Sequence, residues 1–299
     1  MSLAETTARR PSRIGLFVAE FLRVPSAAIA LAVFAAMSLA ALLAPWIAPQ
    51  DPYDLASVSI LDNLIPPGEQ AFNGMTHWLG TDGQGRDMLS AMLYGLRISL
   101  LVGLASGAIA LVVGTVVGLI AAFRGGWVDA ILMRIVDLQL SFPTILVALI
   151  LLVLLGRGVD KIIFALVVVQ WAYFARTVRG VALVEGSRDY VEAARGLRLP
   201  SLRILLLHIL PNCLPTMLVV ATIQMAQAIS LEATLSFLGL GLPPTRPSLG
   251  LLIANGFDYL YSGRWWISVL PGLVLLVLIV SVNVLGDRMR DVLNPHLKG

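Results

Sequence analysis

Six stretches of this chain are apolar for about twenty residues each, and nothing else in it limits the fold so strongly. They fall at residues 26–48, 99–123, 134–155, 162–181, 212–238 and 267–285. Lipid offers a backbone no hydrogen-bond partners, so a segment inside it must satisfy its own N–H and C=O groups. The expectation is an all-α polytopic membrane protein with six transmembrane helices. Composition agrees: 58% of the 299 residues are hydrophobic and 13% are charged. A net charge of +3 is too small to argue for nucleic acid. The one cysteine, Cys213, excludes an internal disulfide. His77, His208 and His296 stand too far apart in sequence to suggest a metal site.

Residues 1–25 hold Arg9, Arg10, Arg13 and Arg23 around an apolar stripe of Ile14, Phe17, Val18, Phe21 and Leu22. That pattern predicts an amphipathic helix lying on the inner membrane surface, in contact with lipid. The first span, 26–48, exceeds the apolar core of a secretory signal, and no short apolar core follows Arg9-Arg10 as a twin-arginine signal requires. Residues 49–97 form an acidic outer loop dense in turn signals such as Pro66-Pro67-Gly68 and Asp82-Gly83, ending in a helical-looking 88–96. No Gly-Lys-Ser/Thr follows its glycines, so the chain has no phosphate-binding lysine and does not hydrolyse ATP itself.

Residues 98–285 make up the core of five further spans. In the second span Gly103, Gly107, Ala110, Gly114 and Gly118 recur at helical spacing and allow a neighbouring helix to come close. Arg134 and Asp137 are spaced to pair, and Pro143 should kink the third span. Arg176 and Arg179 close the fourth at the inner interface. The fifth carries Gln224, Gln227 and Glu232 on roughly one face, as candidates for lining a path, with Glu232 read alternatively as a structural partner of a neighbouring helix. A second outer loop, 239–265, ends at an interfacial Trp265-Trp266 pair, and 286–299 form an inner tail.

Charge sets the orientation. Placing both termini and the loops around 124–134 and 176–208 on one side leaves only Arg86, Arg97, Arg157, Lys161, Arg246 and Arg264, six of the 21 basic residues, on the other. The richer side is cytoplasmic by the positive-inside rule.

Between the fourth and fifth spans, residues 184–211 form a charged island. Ser187 is read as an N-cap, with Asp189 in the first turn. Tyr190, Ala193, Ala194 and Leu197 then share a face, while Arg188, Glu192 and Arg195 point elsewhere. Pro200 stops this helix, and a second, striped by Leu202, Leu205, Leu206 and Ile209, runs from Ser201 to Pro211. Two short amphipathic helices at a membrane surface make a docking element.

Glu192-Ala193-Ala194, with Ile209-Leu210-Pro211 ending the same stretch, resembles the EAA loop of ABC-importer permeases. The string Leu79-Gly80-Thr81-Asp82 followed by Gly85-Arg86-Asp87, and the closing run from Gly286 to Pro295, resemble the C-type subunit of the dipeptide/oligopeptide/nickel branch. The resemblance implies a coupling helix at 188–201 that docks on a cytoplasmic ATPase, comprising Arg188, Asp189, Tyr190, Glu192, Ala193, Ala194, Arg195, Gly196, Leu197, Arg198, Pro200 and Ser201. It implies a second, distinct permease subunit, one or two ATP-binding subunits carrying ATP and magnesium, and an extracytoplasmic substrate-binding protein. This chain itself would bind no cofactor and no metal. The implied location is a bacterial inner membrane with both termini cytoplasmic, and the implied solutes are peptides, opines, nickel chelates or glutathione. Where that family usually has glycine, six residues after the glutamate, this chain has Arg198. A secondary transporter or channel working without ATP is the competing function, and a membrane-embedded enzyme would need a His, Asp or Glu cluster that the sequence lacks.

Overall fold

The computed structural model describes residues 13–54, 58–72 and 74–293, and every regular element longer than an isolated bridge among them is helical. Arg9, Arg10 and the tail beyond Leu293 lie outside the described residues. Helix α1 (Arg13–Leu22) is followed after two residues by α2 (Pro25–Ile47), the first apolar run. Pro25 opens α2, at a position whose N–H has no helical partner in any case.

Helix α3 (Met88–Arg124) has 37 residues, about 55 Å at 1.5 Å per residue, and so outreaches the bilayer. Its first turns are the helical stretch expected at 88–96, at the end of the loop. Asp87 caps the helix by accepting from the Ser90 amide at 2.8 Å and the Ser90 hydroxyl at 2.7 Å. The small residues of α3 divide between two neighbours. Gly114 and Gly118 meet α6 (Val159–Gly186) at Trp171, Phe174, Ala175 and Val178, whereas Gly103 meets Ile229 of a later helix. Gly107 has no atom within 4 Å of where a Cβ would stand.

The third apolar run is two helices, α4 (Gly126–Ser141) and α5 (Thr144–Leu155), bent by 89°. A proline disfavours the helical conformation in the residue before it, and Phe142 is extended at φ −87°, ψ 140°. The expected kink is a full corner. Arg134 does not pair with Asp137; Asp137 pairs with Arg176 and Asp129 with Arg179, tying α4 to the C-terminal half of α6.

The charged island yields one short helix, α7 (Asp189–Gly196), and no hairpin. Its expected second helix is the start of the fifth span: α8 (Ser201–Ile204) runs through a π turn at Leu205–Ile209 into α9 (Leu210–Phe237), 37 residues without a break. Pro211 has no N–H for the Leu207 carbonyl, and just before it the ladder widens, with the Leu210 N–H reaching back five residues to Leu205. Helix α10 (Leu249–Phe257) lies within the second outer loop, and α11 (Trp266–Leu293) returns across the membrane.

The chain ends converge. Arg288 near the end of α11 donates to the carbonyls of Glu20 and Phe21 at the end of α1, and Arg290 lines a groove with Pro215 and Thr216 near the start of α9. Both ends of the described chain thus lie at the same end of the bundle as α7. At the other end the turn between α5 and α6 touches the outer loop, with Gly158 donating to the Gly241 carbonyl at 3.3 Å.

If the α3–α6 contact holds the bundle together, Gly114→Ala and Gly107→Ala should diverge. A Cβ at Gly114 collides with the Trp171 carbonyl and with Phe174 Cβ. We expect Gly114→Ala to lose about 1–3 kcal/mol and Gly107→Ala to gain up to about 1 kcal/mol from helix propensity, read from unfolding midpoints in mixed detergent. Equal midpoints would refute this account.

Candidate functional site

Helix α7 is held by two side chains. Val191 is fully buried and Ala194 is 5% exposed; they pack with Leu119 of α3, Val178 and Ala182 of α6, and Ile204, Ile209 and Cys213 of α8–α9. The face expected to pack was Tyr190, Ala193, Ala194 and Leu197; instead Leu197 is 76% exposed, and Tyr190 and Ala193 are exposed as well. An eight-residue helix with one buried valine and one buried alanine lies flat on the ends of three spans, and everything else on it faces out. Asp189 and Glu192 occupy the first turn and Arg195 the last, the arrangement the helix dipole favours.

The caps differ from expectation. Ser187 closes α6, its hydroxyl donating to the Val184 carbonyl at 2.9 Å, and Arg188 occupies the N-cap of α7 without a side-chain hydrogen bond. At the other end the helix stops at Gly196, four residues before Pro200. The Leu199 N–H donates to the Ala194 carbonyl at 3.2 Å and the Arg198 N–H to the Arg195 carbonyl at 2.9 Å. That pair of bonds is a Schellman motif, which requires a left-handed residue between them. Arg198 supplies it at φ +54°. The arginine thus stands where glycine would fit without steric cost, and the backbone keeps the turn anyway.

Tyr190 fastens the loop to itself. Its hydroxyl donates to Glu185 at 2.7 Å and accepts from the Asn212 side chain at 3.0 Å, while Asn212 also donates to the His208 carbonyl at 2.7 Å. Burial, followed by the Glu185 carboxylate, raises the phenol above its ordinary range, so it remains a donor at neutral pH. Glu192 is exposed and makes no ion pair among the described residues. Beside it, Glu192, Arg195, Ala182, Gly186, Leu205 and Ile209 border a recess of about 280 Å³.

Gln224, Gln227 and Glu232 do not form one site. At 100° per residue Glu232 lies about 140° around α9 from Gln227. Glu232 is fully buried and accepts from Ser99 of α3 at 3.0 Å and Ser236 at 2.7 Å, with Ser248, the N-cap of α10, also bonding to it. It fastens the C-terminal end of α9. Gln224 is 3% exposed and faces α6, where Gln170 bonds to its backbone carbonyl; Gln227 is exposed.

The outer loop folds around Thr81, Asp82, Arg86 and Asp87, all of them buried. Asp82 and Arg86 pair at 2.7 Å, Arg86 reaches the Pro244 carbonyl at 3.2 Å, and His77 meets Asp87 at 2.9 Å. Gly80 (φ +78°) lies so close to the Ile65 carbonyl and the Trp266 ring that a side chain there would collide. Trp266 donates to the Thr81 carbonyl at 3.2 Å and is buried, so only Trp265 of the expected interfacial pair is exposed.

A family model described as a binding-protein-dependent transport system inner membrane component matches residues 114–299, and one for the N-terminal transmembrane domain of oligopeptide transport permease C matches residues 12–67. The chain belongs to this family of transport-system membrane components. The di/tripeptide transport system permease DppC of Pseudomonas aeruginosa is 38% identical over 86% of this chain and 84% of its own length. A putative peptide transport system permease of Brucella suis is 39% identical over 96% of this chain and 93% of its own, and the Escherichia coli dipeptide permease DppC is 38% identical over 93% and 91%. An inward-facing structure of the MetNI methionine ABC transporter shares the fold, with a TM-score of 0.57 at 24% identity, over 69% of this chain and 97% of that one. The chain is thus a multi-pass permease subunit of a bacterial ABC import system, and the reading as an ATP-independent transporter or channel loses ground.

The left-handed arginine gives a test. Replacing Arg198 by glycine removes a steric cost of about 1 kcal/mol. Amide hydrogen exchange at residues 197–199 should slow roughly fivefold. Faster exchange in Arg198→Gly would show that the arginine side chain holds the turn.

Proposed function

We propose that this permease imports peptides, and that α7 is the handle by which cytoplasmic ATPase subunits drive it. The observation that carries the reading is the division of α7 into a face seated on three spans and an exposed charged face, on which Glu192 makes no ion pair among the described residues. A helix so seated cannot tilt without moving the inner ends of α3, α6 and α9. The ATPase would contact the exposed face, with Glu192 meeting a cation of the ATPase and Ala193 keeping that face slim enough for a groove. Arg188, Asp189, Arg195, Leu197, Arg198 and Ser201, all exposed, form the rest of the contact. ATP and its magnesium would reside on those partners, one or two in number.

The peptide assignment draws on the relatives' names, two of which specify di- or tripeptides. A second permease subunit would complete the path. The termini and α7 would face the cytoplasm of a bacterial inner membrane, as the distribution of basic residues favours. At the opposite end Phe72, Trp78 and Tyr261 are 90%, 70% and 96% exposed, a set of aromatics suited to a substrate-binding protein.

Glu192→Lys should leave the complex assembled and hydrolysing ATP while peptide uptake per ATP falls at least about tenfold; uptake at the native level would refute the handle. Replacing Phe72 and Tyr261 together by alanine should raise the half-maximal concentration of loaded binding protein about tenfold in ATPase-stimulation assays. An unchanged concentration would place the docking surface elsewhere.

A further inference from the structure

Between its N-cap and its last residue, Arg124, helix α3 carries a single charged side chain, Arg97. At 1.5 Å per residue the two arginines stand about 40 Å apart along the helix. A bilayer with its headgroup layers is about 40–45 Å thick. Arg97 therefore lies in one headgroup layer when Arg124 lies in the other. At 100° per residue, Leu101, Leu104, Ala108 and Val112 fall within about 60° of Arg97 around α3. All four are exposed, Leu104 by 56% and Val112 by 62%, and none is polar. Lipid tails suit this stripe, and Arg97 stands at its head.

A second arginine arrives from the other outer loop. Tyr94, one turn before Arg97, meets Tyr53 edge to face, with ring centroids 5.0 Å apart. Pro52 and Thr245, the chain neighbours of Tyr53 and Arg246, border one recess of about 520 Å³. Arg246 and Arg97 both lie within electrostatic reach of the Tyr53 hydroxyl. Both arginines are exposed, and neither makes an ion pair among the described residues. Asp51, the acid that also acts on Tyr53, accepts from the Tyr53 N–H at 2.9 Å and bridges to neither arginine. Burial raises the Tyr53 phenol above its ordinary range against the pull of Arg246 and Arg97, so it is a donor at neutral pH. Two cations and a hydroxyl donor thus stand together with one carboxylate nearby, a set that attracts an anion.

We propose that Arg97, Arg246 and Tyr53 form a site for the phosphate of a phospholipid in the leaflet away from α7, whose acyl chain lies along the apolar stripe of α3. A phosphate has acceptor oxygens enough for two guanidinium groups and a phenol. The cations hold the headgroup and the stripe holds the tail, so one side of α3 recognises both ends of the molecule. A carboxylate from a docking protein would satisfy the arginines and leave the stripe beneath them uncovered, which makes lipid the better fit. A lipid bound there bridges the first outer loop, through Tyr53, to the second, through Arg246.

The test titrates the complete complex, purified in mild detergent, with dioleoyl phosphatidylglycerol and reads bound lipid by native mass spectrometry. Replacing Arg97 and Arg246 together by alanine should weaken binding about thirtyfold, and either alone about fivefold. Both side chains are exposed, so the variants should assemble as the wild type does. Dioleoylglycerol, which has the same chains and no phosphate, should bind the wild type no better than phosphatidylglycerol binds the double variant. Inorganic phosphate in excess should leave the lipid in place. Equal affinity of wild type and double variant for phosphatidylglycerol would overturn the proposal. Displacement of the lipid by inorganic phosphate would overturn it in favour of a soluble anion. A double variant that keeps its lipid but needs more binding protein to stimulate ATP hydrolysis would overturn it in favour of a protein carboxylate.

Discussion

Val191 and Ala194, pressed against the C-terminal ends of α3 and α6 and the start of α8–α9, are the contact on which the rest of the structure turns. A short helix has little stability of its own in water. Helix α7 persists because two side chains find a prepared apolar floor, because Tyr190 ties it to Glu185 and Asn212, and because the Schellman turn at Arg198 ends it at a fixed angle. Ala194 is as important as Val191 here. A larger residue at that position would lift the helix off the spans, and the stiff link between surface and membrane would be lost.

That link continues into α9 without a hinge loop. Residues 201–237 form one helix, so a displacement at Ser201 is carried along the span and not absorbed in a flexible connector. The π turn at Leu205–Ile209 is its one irregularity, placed where Pro211 withholds a hydrogen bond. Had this segment been a separate surface helix, as its leucine stripe suggests in isolation, α7 would have been joined to the fifth span by a slack corner.

Much of this was legible in the sequence. Apolar run length located the helices that cross the bilayer, since length and hydropathy are what lipid selects. The island at 184–211 stood out by charge alone. The buried face of α7 was not legible, because in eight residues the stripes Tyr190/Ala193/Ala194/Leu197 and Val191/Ala194 both fit a helical period, and only the floor beneath decides between them. The partners of Asp129 and Asp137 were hidden for a similar reason: Arg179 and Arg176 lie 50 and 39 residues away, while Arg134 was near and wrongly suggestive. The corner at Pro143 looked like any other proline in a span. Pro215 and Pro271 stay inside their helices, and what separates the cases is the surroundings, not the residue. Gln170 escaped notice because a lone glutamine in a span has no partner in its own sequence window.

Glu232 and the Gln170–Gln224 contact show how one helix carries two kinds of buried polarity. Glu232 is satisfied entirely within the chain, by Ser99, Ser236 and Ser248, and a group so enclosed can only hold α9 to α3 and α10. The Gln170–Gln224 contact is half satisfied, with one bond made and two polar atoms left over. A closed network favours a single geometry, whereas unpaired groups leave room for the side chains to rearrange. Along α9, then, the C-terminal end is fixed by Glu232, the start is packed against α7, and the half-satisfied polarity lies between them. A tilt imposed at the start has to be taken up between the two, at the depth where Gln170 and Gln227 border a cleft.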